Sequence, residues 1–112
     1  MQTLTRNTPE TLRALIEKQT LERFIKEGMT PEVHYKHGIQ TKVIPGKKYI
    51  KIDVGTSGRY MIDADGQIFG IKAYGVIHKG HFYGTLNTID LYDWSGYTAV
   101  KKTYSTEKYN IN

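Results

Sequence analysis

The chain has 112 residues, the usual length of one folded domain. Leu, Ile, Val and Phe account for 26 of these residues, enough to build one modest hydrophobic core. There is no long apolar run, no apolar segment near the N-terminus and no cysteine. A membrane span, disulfides, cysteine-ligated zinc and thiol catalysis are therefore excluded, and we expect an intracellular protein without a classical secretion signal.

The positive charge is unevenly distributed. The net charge is +5, from 16 lysines and arginines against 11 acids. Residues 1–29 contain five bases and four acids, whereas residues 30–112 contain eleven bases and seven acids. All nine tyrosines also lie in the second part. A basic, tyrosine-rich region favours a polyanionic partner, either nucleic acid or a nucleoprotein.

The composition predicts a single α+β domain with its helical part first. Leu, Glu, Arg and Lys dominate residues 1–30, while ten of the eleven glycines and ten of the twelve isoleucines follow residue 29. We predict a helical segment over 1–30, a β-rich body over 32–104 and a polar tail over 105–112. We expect the helix or helix pair to pack on a coiled antiparallel sheet or small open barrel.

The start of the helical segment is well marked, but its continuity is not. Thr8 is a candidate N-cap, and Pro9 suits the first helical position. Two apolar stripes follow on roughly opposite faces at about 100° per residue. We interpret them as two helices, with a break near Gln19 and Thr20 capping the second. Gly28 then ends the second helix, and the Thr30-Pro31 pair prevents its continuation.

Glycine-containing turns divide the β-rich body. Pro45-Gly46 and Asp65-Gly66 are strong turn signals between apolar runs. The loop Gly55–Arg59 is compatible with a phosphate cradle, although a tight turn explains it as well. The residues from Asp63 to Gly66 resemble the start of a calcium-binding loop, but the later positions of such a loop do not supply the required ligands. We therefore interpret this segment as a hairpin turn. The candidate strands cover 39–44, 48–54, 59–63, 67–72, 75–79, 81–86 and 97–103.

The four histidines form two H-x-x-H pairs, His34/His37 and His78/His81. Imidazole suits both metal binding and acid–base chemistry. On a strand, however, residues three apart face opposite ways, unless a turn at Gly38 or Gly80 brings them together. We therefore treat all four as weak metal candidates, expect no cofactor, and favour polar turns near a basic surface.

A metal-independent endoribonuclease is the enzyme alternative. Cleavage of RNA needs a base, an acid and a cation that holds the phosphate. The second histidine pair, His78 and His81, together with Lys79 and Tyr83, supplies these groups, and Arg59 is a candidate phosphate clamp. Nothing in the spacing requires catalysis, so we expect a non-enzymatic role.

Bases and tyrosines alternate throughout the body, which suits phosphate contacts and base stacking on a sheet surface. The same composition is normal for a solvated β-surface, and it also fits a protein interface. A protein-binding inhibitor or a virion component is therefore a further alternative, and the oligomeric state is open. The candidate nucleic-acid contacts are Lys47, Lys48, Tyr49, Lys51, Arg59, Tyr60, Lys72, Tyr74, Lys79 and Tyr83.

Three segments carry a resemblance: KIDVGTSGRYM from Lys51, GIKAYG from Gly70 and KGHFYGTL from Lys79. In these segments the chain resembles small phage-encoded proteins, over about residues 36–100. No activity is assigned to such proteins, so the resemblance transfers no functional residues. It implies a viral accessory role, and hence a location in the host cytoplasm.

Overall fold

The computed structural model describes residues 7–73 and 76–102. It confirms the α+β class, with an N-terminal helix followed by a five-stranded antiparallel sheet. The helical elements that precede the sheet are α1 (Pro9–Lys26), α2 (Pro31–His34) and a π-helical turn (Tyr35–Ile39). The sheet strands are β1 (Thr41–Ile44), β2 (Ile50–Val54), β3 (Ser57–Ile62), β4 (Gln67–Ala73) and β5 (Val76–Thr85). A 3₁₀ helix (Leu86–Leu91) then leads into a two-stranded ribbon of β6 (Tyr92–Asp93) and β7 (Val100–Lys101).

The N-terminal helix begins as predicted but does not break. Thr8 and Thr11 form a reciprocal capping box, with Pro9 at the first helical position. The predicted break near Gln19 and Thr20 is wrong, because α1 continues to Lys26. Thr20 is buried and connects the two apolar stripes into one. The buried side of α1 therefore consists of four residues at i, i+4 spacing: Leu12, Ile16, Thr20 and Phe24.

Gly28 ends α1 in the way that the sequence predicts. Its φ is +80°, and the amide of Met29 donates to the carbonyl of Phe24, which satisfies a carbonyl at the helix end. The predicted start of the β-body at residue 32 is wrong, because helical turns occupy residues 31–39. Pro31 stops α1 from continuing, but it also suits the first position of the next helix.

The sheet is an open antiparallel meander in the order β1-β2-β3-β4-β5. Each strand pairs with its neighbours in sequence, and β1 does not pair with β5, so the sheet is not closed into a barrel. Successive hairpin turns of a meander lie at alternate ends of the sheet. Residues 45–49 and 63–66 therefore connect strands at one end, which we call the proximal end. Residues 55–56 connect β2 and β3 at the other, distal end, where β4 also ends and β5 begins.

The core lies between one sheet face and two covering segments, α1 and the chain after β5. Alternate side chains of β2, β3 and β4 face it, including Ile52, Tyr60 and Ile68. Trp94 is fully buried there, and its indole N–H donates to the carbonyl of Ile89 at 2.9 Å. Among residues 7–73 and 76–102, the buried cluster consists of Leu12, Ile16, Ile52, Val54, Tyr60, Ile62, Ile68, Ile89, Trp94 and Ala99.

The two strands predicted over 75–79 and 81–86 form one strand, β5, with a large bulge between them. Phe69 pairs with Phe82 and the next residue, Gly70, pairs with His78. Residues 79–81 therefore have no counterparts on β4. Gly80 correctly predicts an irregularity at this position. The irregularity is a β-bulge within one strand and not a turn between two strands.

The C-terminal part contains less strand than predicted. The 3₁₀ helix interrupts the predicted β-body at residue 86, because Thr85 and Thr88 form a second capping box. Within the predicted strand 97–103, only β7 (Val100–Lys101) is extended and paired, and Thr103 lies outside the described residues. The predicted tail over 105–112 also lies outside them. Among the described helices, none has the length and apolar character needed to cross a membrane.

The buried Thr20 yields a prediction about stability. Its hydroxyl has no hydrogen-bond partner in the described part of the chain, and an unpaired buried hydroxyl costs about 1–3 kcal/mol. We expect Thr20→Val to raise the free energy of unfolding by about 1 kcal/mol, because valine keeps the shape and removes the unpaired group. Urea denaturation measures this change. A loss of stability on substitution would show that the hydroxyl is satisfied in solution, whereas the Leu12→Ala control is expected to lose about 2–5 kcal/mol.

Candidate nucleic-acid interface

The fold divides the predicted contact residues into two groups on the sheet. One group lies at the proximal end, on and beside the β1–β2 turn, and consists of Lys47, Lys48, Tyr49 and Lys51. A second group lies farther from this turn: Arg59 in β3 and Lys79 in β5 are level with the middle of the sheet, and Lys72 is near the distal end of β4. Lys51 is two register positions from Arg59, whereas Lys47 and Lys48 are in the turn at the opposite end from Lys72.

The proximal group is a compact basic hairpin. Lys47 and Lys48 are exposed in the connection between β1 and β2, and the ammonium of Lys48 lies 5.5 Å from the centre of the Tyr49 ring. Lys42 is also exposed on β1. These lysines have the exposure that an electrostatic contact with a polyanion requires.

Arg59 is held in place at the distal side by the segment that precedes β7. It is the extra residue of a bulge in β3, because Asp53 pairs with Gly58 while Ile52 pairs with Tyr60. Its Nη1 donates to the carbonyl oxygens of Gly96 at 3.4 Å and Tyr97 at 3.1 Å.

The guanidinium of Arg59 also stacks over the Tyr97 ring, 4.4 Å from its centre. Burial lowers the pKa of Arg59 from its ordinary value, but an arginine side chain stays protonated in proteins. Arg59 is therefore a fixed, half-buried positive charge.

Two of the predicted stacking tyrosines are not free aromatic platforms. Tyr60 is wrong as a contact residue, because it is 1% exposed and packs edge-on against Tyr83 and Trp94. Tyr83 is half-buried, with part of its surface facing a cavity described below. Tyr74 lies outside the described residues.

The bulge in β5 brings together the second histidine pair. The rings of His78 and His81 are stacked, with centres 4.1 Å apart and planes inclined by 24°. A Cβ at position 80 would lie 2.9 Å from Cε1 of His78, so a side chain there would displace the His78 ring from its present position. The bulge brings together two side chains that regular strand alternation would place on opposite faces. Lys79 lies in the bulge and is exposed.

The first histidine pair is arranged differently. The His34 ring packs against Phe24 at 5.4 Å, whereas His37 is exposed in the π-helical turn. The stacked rings of the second pair lie in nearly parallel planes, so their in-plane nitrogen lone pairs do not converge on one ion. In the described part of the chain, no group of three or more histidine, aspartate and glutamate side chains could hold a metal.

A small cavity lies at the distal side of the sheet, between strands β3 to β5 and residues 97–98. Its volume is about 130 Å³. We call it the Arg59 cavity. Its described lining has no carboxylate, and it includes the polar side chains of Arg59, His81, Tyr83 and Thr98 together with the Tyr97 ring. Burial raises the pKa of Tyr83, so its hydroxyl remains a hydrogen-bond donor at neutral pH.

Two other loops are fully explained by chain geometry. Gly55, in the loop that resembles a phosphate cradle, has φ +62°. A Cβ there would lie 2.1 Å from the carbonyl oxygen of His37, so the main chain of His37 packs directly against this loop. Asp63 accepts from the amides of Asp65 at 3.0 Å and Gln67 at 2.9 Å. The connection between β3 and β4, which begins at Asp63, is therefore the predicted hairpin turn.

Two lining residues of the Arg59 cavity, Tyr97 and Thr98, have no counterpart among the sequence candidates. Position 97 is 38 residues from Arg59, so no local pattern connects the two. The burial of Tyr60, by contrast, is predictable from the sequence. Tyr60 and Ile62 are two residues apart on the same strand, so their side chains face the same side, and an isoleucine there indicates the core.

Comparisons with family models, with curated protein sequences and with solved structures give no match for this chain.

The burial of Tyr60 predicts a pH-dependent loss of stability. Burial raises the pKa of Tyr60 well above its ordinary value near 10. Above about pH 10 the unfolded tyrosine loses its proton while the folded one keeps it, so stability falls as pH rises. This residue alone contributes a slope of up to about 1.4 kcal/mol per pH unit.

We expect urea denaturation between about pH 9 and 11 to show a steeper loss of stability for the wild type than for Tyr60→Phe. The variant retains the contribution of Tyr83, whose pKa is also raised by burial. Parallel pH profiles for the two proteins would contradict the burial of Tyr60.

Proposed function

We propose that this chain is a small phage-type accessory protein that binds nucleic acid or a nucleoprotein through its basic sheet. The observation that carries the proposal is the separation of charge between helix and sheet. Residues 41–83 contain seven bases and three acids, a surplus of four positive charges. Fields of this kind raise the local concentration of polyanions and speed their association.

The helix does not contribute to this surplus. Residues 9–27 contain four bases and four acids. Arg13 pairs with Glu10 at 2.6 Å and with Glu17 at 3.1 Å, and Arg23 pairs with Glu27 at 3.2 Å. Ion pairs of this kind keep the helix surface close to neutral, so the sheet supports the polyanion-binding proposal and α1 does not.

The two basic ends suit a strand of nucleic acid that runs along the sheet. Lys47 and Lys48 extend from one end, while Lys72 and Lys79 are exposed toward the other. A single strand of several nucleotides covers a distance of this order, and site sizes of about 4–16 nucleotides are usual for small β-folds. In this arrangement lysines contact phosphates along the strand, and sequence specificity is low.

An endoribonuclease remains the second candidate, because the fold brings His81, Tyr83 and Arg59 to one cavity. The stacking of His78 on His81 argues against a two-histidine mechanism. In-line displacement at phosphorus needs the base and the acid near the attacking and leaving oxygens, which lie on opposite sides. Two rings stacked 4.1 Å apart lie on one side of any bound phosphate, an arrangement that supports binding over cleavage.

Protein binding, as an inhibitor or virion component, is supported by a different observation. Several large apolar side chains are exposed on β5 and the segment after it, including Phe82 (49%), Leu91 (44%) and Val100 (64%). Such side chains occur at the centres of protein interfaces. This alternative predicts binding that depends little on salt.

The electrostatic proposal predicts the salt dependence of binding. Each lysine that contacts a phosphate of single-stranded nucleic acid contributes about 0.7 to the slope of log K against log salt. We expect Lys47→Ala with Lys48→Ala to reduce that slope by about 1.4. Fluorescence anisotropy with a labelled oligonucleotide of about 12 nucleotides, from about 50 to 200 mM salt, measures it.

The matched control removes the same charge from the helix. Lys18 and Lys26 are exposed on α1, so Lys18→Ala with Lys26→Ala lowers the net charge by the same amount. We expect the control to bind with the wild-type slope. Equal reductions in both double variants would show that only net charge matters, and no binding to DNA or RNA at low salt would leave the protein-partner alternative.

The enzyme alternative has its own test. We expect labelled RNA to stay intact after prolonged incubation with the purified protein in EDTA. If the RNA is cleaved, the rate is measured for His78→Ala and His81→Ala, each of which must lower it at least about 100-fold if the pair supplies acid and base. Cleavage that both variants abolish would replace the binding proposal with the ribonuclease.

A further inference from the structure

Arg59 has part of its guanidinium group uncommitted. Both of its hydrogen bonds to main-chain carbonyls use Nη1. Its Nε has no hydrogen-bond partner among the described residues, but it is fully buried and out of reach of an outside acceptor. Nη2 makes no hydrogen bond to the described residues and is not buried in this way. Nη2 is therefore the nitrogen of Arg59 that is left to contact an anion.

An unpaired buried N–H is costly, and buried polar groups in folded proteins are nearly always satisfied. Arg59 could have been satisfied by an acid, as Arg13 and Arg23 are on α1. The lining of the Arg59 cavity instead contains no carboxylate among the described residues. The positive charge of Arg59 is therefore not neutralised by an acid of the described cavity lining.

The chemistry of the Arg59 cavity favours an oxyanion. Its volume of about 130 Å³ leaves room for a group larger than one water molecule. Besides Arg59, hydrogen-bond donors in the lining come from the hydroxyls of Tyr83 and Thr98 and from the His81 ring. A tetrahedral oxyanion has four oxygens that can accept these bonds.

We propose that the Arg59 cavity binds a single phosphate group, held by the Arg59 guanidinium through Nη2 and by the His81, Tyr83 and Thr98 side chains. Lys72 and Lys79, exposed on the neighbouring strands, add to the local positive potential. Free phosphate and the terminal phosphate of a nucleic-acid strand share this chemistry. The second source rests on the proposed nucleic-acid binding, and the first does not.

Inorganic phosphate alone tests the site. We expect it to raise the Tm of the wild-type protein and to release or absorb heat in a calorimetric titration, at the same ionic strength made up with chloride. Arg59→Lys keeps the charge and removes the planar guanidinium with its fixed N–H donors, so we expect it to weaken phosphate binding about tenfold or more. His81→Ala removes an exposed side chain from the same cavity, and we expect weaker binding from it as well.

The matched control is Arg23→Lys. Arg23 also fixes the segment before β7, since its Nε donates to the carbonyl of Ser95 at 2.6 Å, but it does not line the Arg59 cavity. We expect this variant to bind phosphate as the wild type does. If Arg59→Lys fails to fold, His81→Ala against Arg23→Lys still decides the question. Absence of phosphate binding to the wild type, or binding that neither cavity variant weakens, would overturn the proposal.

Oligonucleotides with and without a 5′-phosphate then separate the two sources. Preference for the phosphorylated strand, lost in Arg59→Lys, identifies a strand terminus as the ligand. Equal binding of the two strands, with phosphate binding retained, identifies free phosphate. Failure of both strands to bind, while phosphate still binds through Arg59, would overturn the nucleic-acid proposal and leave the phosphate site standing.

Discussion

Two arginines from different elements hold the segment between β6 and β7 against the rest of the protein. Arg23 reaches it from α1 and Arg59 from β3, each through a main-chain carbonyl. Trp94, at the start of this segment, fills the centre of the core, and its amide donates to the side chain of Gln19 at 2.7 Å. The segment therefore joins helix and sheet, and its attachment to Arg59 also forms one wall of the cavity.

This attachment explains why Arg59 differs from the surrounding lysines. A lysine on a sheet surface keeps its ammonium in water and moves freely. Arg59 stacks on Tyr97 and is half-buried, so its charge is fixed in direction and partly removed from water. A fixed guanidinium favours one ligand geometry, whereas the mobile lysines at the ends of the sheet attract any polyanion. The two kinds of cation thus support different parts of one proposal: general attraction and a specific phosphate contact.

The local features of the fold were predictable wherever one residue type determines the backbone. Thr8 and Pro9 mark the start of α1, and Asp65-Gly66 marks a hairpin turn. The continuity of α1 was not predictable, because a polar residue at position 20 resembles a cap in the sequence and is buried only through tertiary packing. Gly80 signals an irregularity, but the register on β4 decides that it is a bulge.

The candidate site was predictable in its residue types and not in its arrangement. Arg59, His81 and Tyr83 were identified from their chemistry, and the structure places all three on one cavity. The separation of the proximal lysines from this cavity follows from the meander, in which alternate turns lie at opposite ends. Tyr97 could not be found, because its contact with Arg59 depends on how the whole chain folds back over the sheet.

The central claim is that the Arg59 guanidinium binds a phosphate group in the cavity that it lines. Nuclear magnetic resonance of ¹⁵N-labelled protein observes the arginine Nε–H signals directly, and Arg59→Lys assigns the one that belongs to Arg59. On titration with inorganic phosphate, we predict that this signal shifts and exchanges more slowly with water, while the Arg23 signal stays in place. An Arg59 signal that does not respond to phosphate would contradict the account.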